Sequence, residues 1–195
     1  MGSQVTTKRG DDGTTTSLGG DTVPKSHAIM DAVGALDELR SHTALAWRRI
    51  VEESPEGVPG LDEFLPWLLH VYFLIGTECS DPLRKHPEYR QGALTQREID
   101  RLEAAQAVLE AHTPLPSSFI VSASNSLAAQ VDVACVVARR AERAIVRLKE
   151  ASPQFASEEI LAFMNRLSDY LYMLARNLEG GNHLAVDYGV LEPES

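Results

Sequence analysis

Five stretches of the chain repeat apolar side chains every three or four residues, the period of a helix with one buried side. The first begins beyond Pro24, and Ile29, Val33, Leu36, Leu39, Ala44 and Ala46 mark its inner side as far as about Val51. In the second, Leu61, Phe64, Leu65, Leu68, Leu69, Tyr72 and Ile75 carry the pattern to near Cys79. Thr95 stands three residues before Glu98, a capping-box spacing that opens a third helix running to about His112. The fourth runs from about Leu127 to Glu150, with Leu127, Val131, Ala134, Ala138, Ala141, Ile145 and Leu148 inward and several N-cap candidates in the preceding SASNS. The fifth starts near Ser157 and follows Leu161, Met164, Leu167, Leu171, Leu174 and Leu178 to a stop at Gly180-Gly181. Five such helices without an alternating strand pattern predict an all-α antiparallel five-helix bundle. Phe119-Ile120-Val121 reads as a short extended or loop segment.

The connections are polar. EESPEGVPG, residues 52 to 60, is a solvated link, and the first 25 residues are poor in apolar side chains and dense in Gly, Thr and Asp. These boundaries divide the chain into an N-terminal loop (1–25), a helical bundle (26–181) and a C-terminal tail (182–195). At 195 residues, all three belong to one domain. With 18 basic against 28 acidic side chains the formal charge is -10, which disfavours a broad nucleic-acid or anionic-membrane footprint. No apolar run is long enough to span a bilayer or serve as a signal core. Cys79 and Cys135 form no CxxC pair, so a disulfide framework has no support and a cytoplasmic location is expected.

Three segments offer chemistry. The Gly- and Thr-rich opening has backbone N–H groups and hydroxyls suited to phosphate oxygens and a carboxylate, Asp11, that can hold a cation to neutralise them, although it lacks the Walker A pattern and also fits a plain flexible terminus. Arg139 and Arg143 share one side of the fourth helix, with Arg140 about 100° away; they suit phosphate clamping or simple solvated pairing with glutamates. Asn165 and Asp169 share a side of the fifth helix, where they could read a nucleotide and orient an arginine or belong to a structural network. The six histidines show no zinc spacing, no GxSxG elbow is present, and Cys135 reads as a packed side chain.

Together TKRGDDGTTTSLGG with Lys25, VGALDELRS at 33–41, RRAER at 139–143 and NRLSDYLYMLAR at 165–176 resemble the PduO-type ATP:cob(I)alamin (corrinoid) adenosyltransferase family over roughly residues 6 to 180. The resemblance implies a homotrimer of five-helix bundles with ATP at the subunit interface, each bundle carrying an N-terminal Gly/Thr-rich nucleotide-binding loop. It implies transfer of the 5′-deoxyadenosyl group of ATP to the cobalt of cob(I)alamin or a related corrinoid, releasing triphosphate, with Mg²⁺ present. Thr7, Lys8, Gly10, Asp11, Gly13, Thr14 and Lys25 would then form the triphosphate loop. Arg139 would face the phosphates, Glu142 would hold the cation or the arginine network, and Asn165 would contact the nucleotide. Asp11 and Glu142 would be the metal ligands, and Arg139, Asp37 and Asp169 the catalytic set. A corrinoid reductase or an acceptor enzyme would be further partners.

The chain departs from that pattern near the expected site. Phe119-Ile120-Val121-Ser122-Ala123-Ser124 replaces FxLPGG, and Asp132-Val133-Ala134-Cys135 replaces His-x-Ala-Arg, so Asp37 loses the arginine that it pairs with in the family. Arg40 stands for the usual Asn, Val33 for Tyr, and Asp12 where Lys is common. A noncatalytic ATP- or corrinoid-binding relative and a structural helical adaptor are the alternative readings.

Overall fold

The structure is a computed structural model and describes residues 8–53 and 60–191. Its five helices are α1 (Ala28–Glu53), α2 (Leu61–Ser80), α3 (Gln96–His112), α4 (Ser126–Ala151) and α5 (Glu158–Leu178). Helix α1 packs on α2 and α4, α4 on α5, and α5 on α3, so the apolar sides named above close over one core. Among the described residues no helix is long and apolar enough to cross a membrane.

Helix α4 sits between α1 and α5, and its buried side explains how. Ala134, Cys135, Ala138, Ala141 and Ala144 are all buried small residues, which lets both neighbours approach closely. The larger side chains come from those neighbours: Leu36 and Leu39 from α1, and Phe163, Leu167, Leu171 and Leu174 from α5. Each such side chain, fully buried, contributes about 1.5–3 kcal/mol. Aromatic contacts join α2 to α5, with Phe64 and Tyr170 ring centres 4.9 Å apart and Trp67 and Phe163 6.3 Å apart.

Two helix entrances follow their sequence signals, while at α5 Ser157 is the N-cap but its side chain makes no capping bond. The Glu98 carboxylate accepts from the Thr95 backbone N–H at 2.9 Å and from its hydroxyl at 2.6 Å. Asn125 is the cap of α4, its Oδ1 accepting from Ala128 N at 2.8 Å.

Two small ribbons supplement the all-α plan. β1 (Thr14–Thr16) pairs antiparallel with β2 (Thr22–Pro24), Thr15 opposite Val23, so the N-terminal loop is a hairpin. β3 (Ile120–Val121) pairs with β4 (Leu184–Ala185), which gives the extended Ile120-Val121 segment a partner from the segment after α5.

Candidate active site

The loop ahead of β1 is a tight turn made of glycine. Gly10 has φ +85, and a Cβ there would lie 2.4 Å from the Thr14 carbonyl oxygen, so no other residue fits. Gly13 N donates to Gly10 O at 3.1 Å, and Lys25 N donates to Gly13 O at 2.9 Å. The Lys25 side chain lies over Gly10, with Nζ 3.5 Å from where that Cβ would stand, placing a cation on the turn. Asp12 Oδ1 accepts from Thr14 N at 3.0 Å and from Thr14 Oγ1 at 2.7 Å. Those hydrogen bonds, with a smaller contribution from Lys25, hold the Asp12 carboxyl below its usual range. Asp12 is therefore engaged by Thr14, whose hydroxyl a phosphate would have to win away. Lys8 and Asp11 are exposed, and Lys8 takes φ +58. Thr7 lies outside the described residues.

On α4, Arg139 and Arg143 are exposed and make no hydrogen bond or ion pair among the described residues, whereas Arg140 pairs with Glu38 of α1. Glu142 is half-buried, and Asn165 and Asp169 are exposed on α5. The α4 and α5 residues meet around Cys135, whose Sγ–H donates to the Ser168 carbonyl at 3.2 Å. Burial pushes the Cys135 thiol up; Arg139 acts against this, and Asp132 and Asp169 add to it. A protonated, buried thiol is a packing residue. Cys79 is likewise buried, its thiol pushed up to about 12 by desolvation and by Glu78.

Asp37 finds its partner one turn along its own helix. Arg40 Nη2 lies 3.0 Å from Asp37 Oδ1, and the same guanidinium stacks 4.4 Å from the centre of the Phe73 ring. Both side chains line a cavity of about 240 Å³ between α1 and α2, which Leu18 of the hairpin also borders.

Where α4, α5 and the second ribbon meet, the structure holds a polar network that the sequence did not disclose. Arg176, 1% exposed, reaches Asp132 Oδ2 at 2.6 Å and Glu179 Oε2 at 3.2 Å. Glu179 also accepts from Ser124 N at 3.1 Å, and its Oε2 lies 2.6 Å from His183 Nδ1. Burial, reinforced by the charge of Glu179, raises Asp132 above its usual range despite Arg176. The apolar period gave no signal of it: Arg176 is two residues from Leu174, about 200° round α5 from the stripe of Leu167, Leu171 and Leu174, and is nonetheless buried with Asp132 of α4 as its partner.

The family model for cobalamin adenosyltransferase matches residues 5–178. The chain belongs to this family. A corrinoid adenosyltransferase of Mycobacterium leprae is 32% identical over 92% of this chain and 93% of its own length. The human corrinoid adenosyltransferase MMAB is 30% identical over 89% of this chain and 68% of its own. Among solved structures, a variant PduO-type ATP:corrinoid adenosyltransferase from Lactobacillus reuteri complexed with cobalamin and ATP is 26% identical, covers 95% of this chain and 97% of that one, and superposes with a TM-score of 0.82.

As a member of the cobalamin adenosyltransferase family, the chain presents the predicted residues in two groups. Gly10, Gly13, Thr14 and Lys25 are assembled on the hairpin. Arg139 and Asp169 are neighbours of Cys135 across α4 and α5, while Asp37 is held apart by Arg40. Among the described residues no group of three or more His, Cys, Asp or Glu side chains is placed to hold a metal ion, so Asp11 and Glu142 belong to no preformed cage.

Proposed function

We propose that this chain transfers the 5′-deoxyadenosyl group of ATP to the cobalt of cob(I)alamin or a related corrinoid, releasing inorganic triphosphate. The observation that carries the reading is the full-length match to a structure complexed with both substrates, together with an intact glycine turn and an unpaired Arg139.

The cobalt attacks the 5′ carbon of ATP, the C5′–O bond breaks, and triphosphate departs with the bonding electrons. The nucleophile comes from the substrate, so the protein needs no activated serine or cysteine, in keeping with the protonated Cys135. What it must supply is positioning and neutralisation of the leaving group. Gly10, Gly13 and Thr14, with Thr7 and Lys8, offer donors to the phosphates, and Lys25 and Arg139 offer charge. Asn165 would contact the nucleotide, and Asp169, which with Arg139 acts on Cys135 but forms no ion pair with that arginine in the structure, would orient Arg139 toward the phosphates. Mg²⁺ typically keeps substrate phosphates and waters and takes only one or two carboxylates, which fits isolated Asp11 and Glu142. Bound there, it would neutralise phosphate charge.

The two residue groups form a complete site when the hairpin of one subunit meets the α4–α5 side of another, as in a homotrimer. The exposed side of α4 supports this, because Val133, Val136 and Val146 alternate there with Arg139 and Arg143. Phe119 is 79% exposed beside the second ribbon, with Leu184 and Tyr188 also exposed, and we assign this apolar patch to the corrinoid face that must exclude water. Two free buried thiols fit the cytoplasm, where a reductase would supply cob(I)alamin.

The test is an anaerobic optical assay with Mg²⁺, ATP and chemically reduced cobalamin. Protein-dependent loss of the cob(I)alamin spectrum and formation of a light-sensitive product are expected. Arg139→Ala should lower kcat by about 100-fold or more with an unchanged melting temperature, since it removes a phosphate-facing charge and no core volume. No product from folded wild-type protein would refute the transfer reading.

A further inference from the structure

The N-terminal hairpin is held in place by the end of α2 and the connector that follows it, residues 81–95. Leu18 N donates to Ser80 Oγ at 3.0 Å, and Gly19 N donates to Ser80 O at 3.3 Å. Lys85 Nζ reaches both carboxylate oxygens of Asp21 at 2.7 Å. The hairpin turn is glycine at two positions because the connector fills the space beside it. A Cβ on Gly19 would lie 2.9 Å from Asp81 Oδ1, and one on Gly20, at φ +79, would lie 3.2 Å from His86 Nε2.

The connector cannot easily yield. Asp81 is buried and accepts the backbone N–H groups of Lys85 and His86, each at 2.9 Å. Arg90 donates to the Asp81 carbonyl at 2.8 Å and pairs with buried Glu78, which Arg84 also approaches at 3.5 Å. Burying these charges costs desolvation energy, and the reaction described above makes no use of them. What they supply is a fixed shape at the hairpin turn.

We propose that Ser80–Arg90 is the platform that sets the geometry of the nucleotide loop, with Asp81 and Lys85 as positioning residues for ATP that never touch it. This rests on the reading that the Gly10–Thr14 turn binds the triphosphate. The mechanical link is the β1–β2 ladder, in which Thr16 faces Thr22 next to the turn and Thr14 faces Pro24 at the other end. Strands rise about 3.3 Å per residue, so the ladder is a short, stiff arm between the platform and the phosphate turn. An ångström of movement at the platform is transferred to Gly10, Gly13 and Lys25, and misplacement on that scale can cost about 100-fold. The apolar patch assigned above to the corrinoid, Phe119 with Leu184 and Tyr188, is outside the hairpin and the connector, so the effect falls on the nucleotide alone.

Three variants of the full chain, Lys85→Ala, Lys85→Arg and Asp81→Asn, test this by calorimetric titration with Mg·ATP, by the KM for each substrate and by thermal melting. Lys85→Ala removes an exposed ion pair and should raise the Kd and KM for ATP by about 3- to 5-fold, with the corrinoid KM and melting temperature unchanged. Lys85→Arg should restore ATP affinity. Asp81→Asn should raise the ATP KM more, on the order of 10-fold or above, again without moving the corrinoid KM. An ATP KM that stays at the wild-type value in both Lys85→Ala and Asp81→Asn would overturn the platform. So would a joint rise of both KM values in step with lost thermal stability. Wild-type protein that fails to bind Mg·ATP would overturn the nucleotide reading itself, and the platform with it.

Discussion

Cys135, at the position where the resemblance implies an arginine, is buried between α4 and α5. The thiol bonds to the Ser168 carbonyl, Asp37 is already paired with Arg40, and Arg139 and Arg176 both lie close enough to act on the site. Cys135→Arg should therefore destabilise the fold by about 3 kcal/mol, because the new cation would be buried next to like charges. An unchanged melting temperature would show that Asp37 exchanges partners freely. Asp81 gives a second test. Burial opposes its ionised form, but the N–H groups of His86 and Lys85 and the charge of Arg90 outweigh burial and hold it below its ordinary value of 3.8. A depressed carboxyl stabilises the fold fully above its unfolded pKa and loses that contribution as pH falls through the folded one. The melting-temperature gap between wild type and Asp81→Asn should accordingly be constant at neutral pH, narrow below 3.8 and vanish in stronger acid. The sequence nominated residue types for the site, Lys25, Arg139 and Asn165 among them, but could not give the partners those side chains have in the fold. Whether Asp12 faces a phosphate or Thr14 depends on side-chain rotamers that residue spacing does not encode.

The helices were legible because each repeats its apolar period over many residues, and α3 and α4 also carry a recognisable entrance. Asn125 shows how much one entrance can hold: besides capping Ala128 N, its Nδ2 donates to the Leu178 carbonyl at 2.9 Å, joining the start of α4 to the end of α5. Asn125→Ala should cost about 1–2 kcal/mol in chemical denaturation, the upper part of the range for a cap. A loss of only a few tenths would mean that the link to Leu178 contributes nothing. The ribbons were not legible as paired strands, although Ile120-Val121 fell in a segment read as extended or loop, since strands of two or three residues are too short to display alternation and β3 depends on a partner distant in sequence. Thr14–Thr16 and Thr22–Pro24 looked like loop for that reason.

For the whole molecule, the exposed side of α4 is the surface that a solitary bundle would have no reason to keep apolar. Val136 is 58% exposed on it, between Val133 and Arg139. If α4 forms the interface of the proposed trimer, Val136→Glu should leave a folded bundle but shift the assembly to monomer in light scattering after size exclusion, and with it lower transfer activity. A trimer that survives the substitution would move the interface elsewhere. Assembly was suggested by resemblance and not by periodicity, because a helix side facing a second subunit has the same spacing as one facing solvent. The pairing of β3 with β4 has a genetic corollary. A stop codon just after Gly181 would spare all five helices, yet it would remove the strand opposite Ile120 and Val121 and take His183 from the buried Glu179. Such an allele would behave as a lesion at Phe119, far upstream in the gene, and a second mutation removing the charge of Glu179 is where its suppressors should arise.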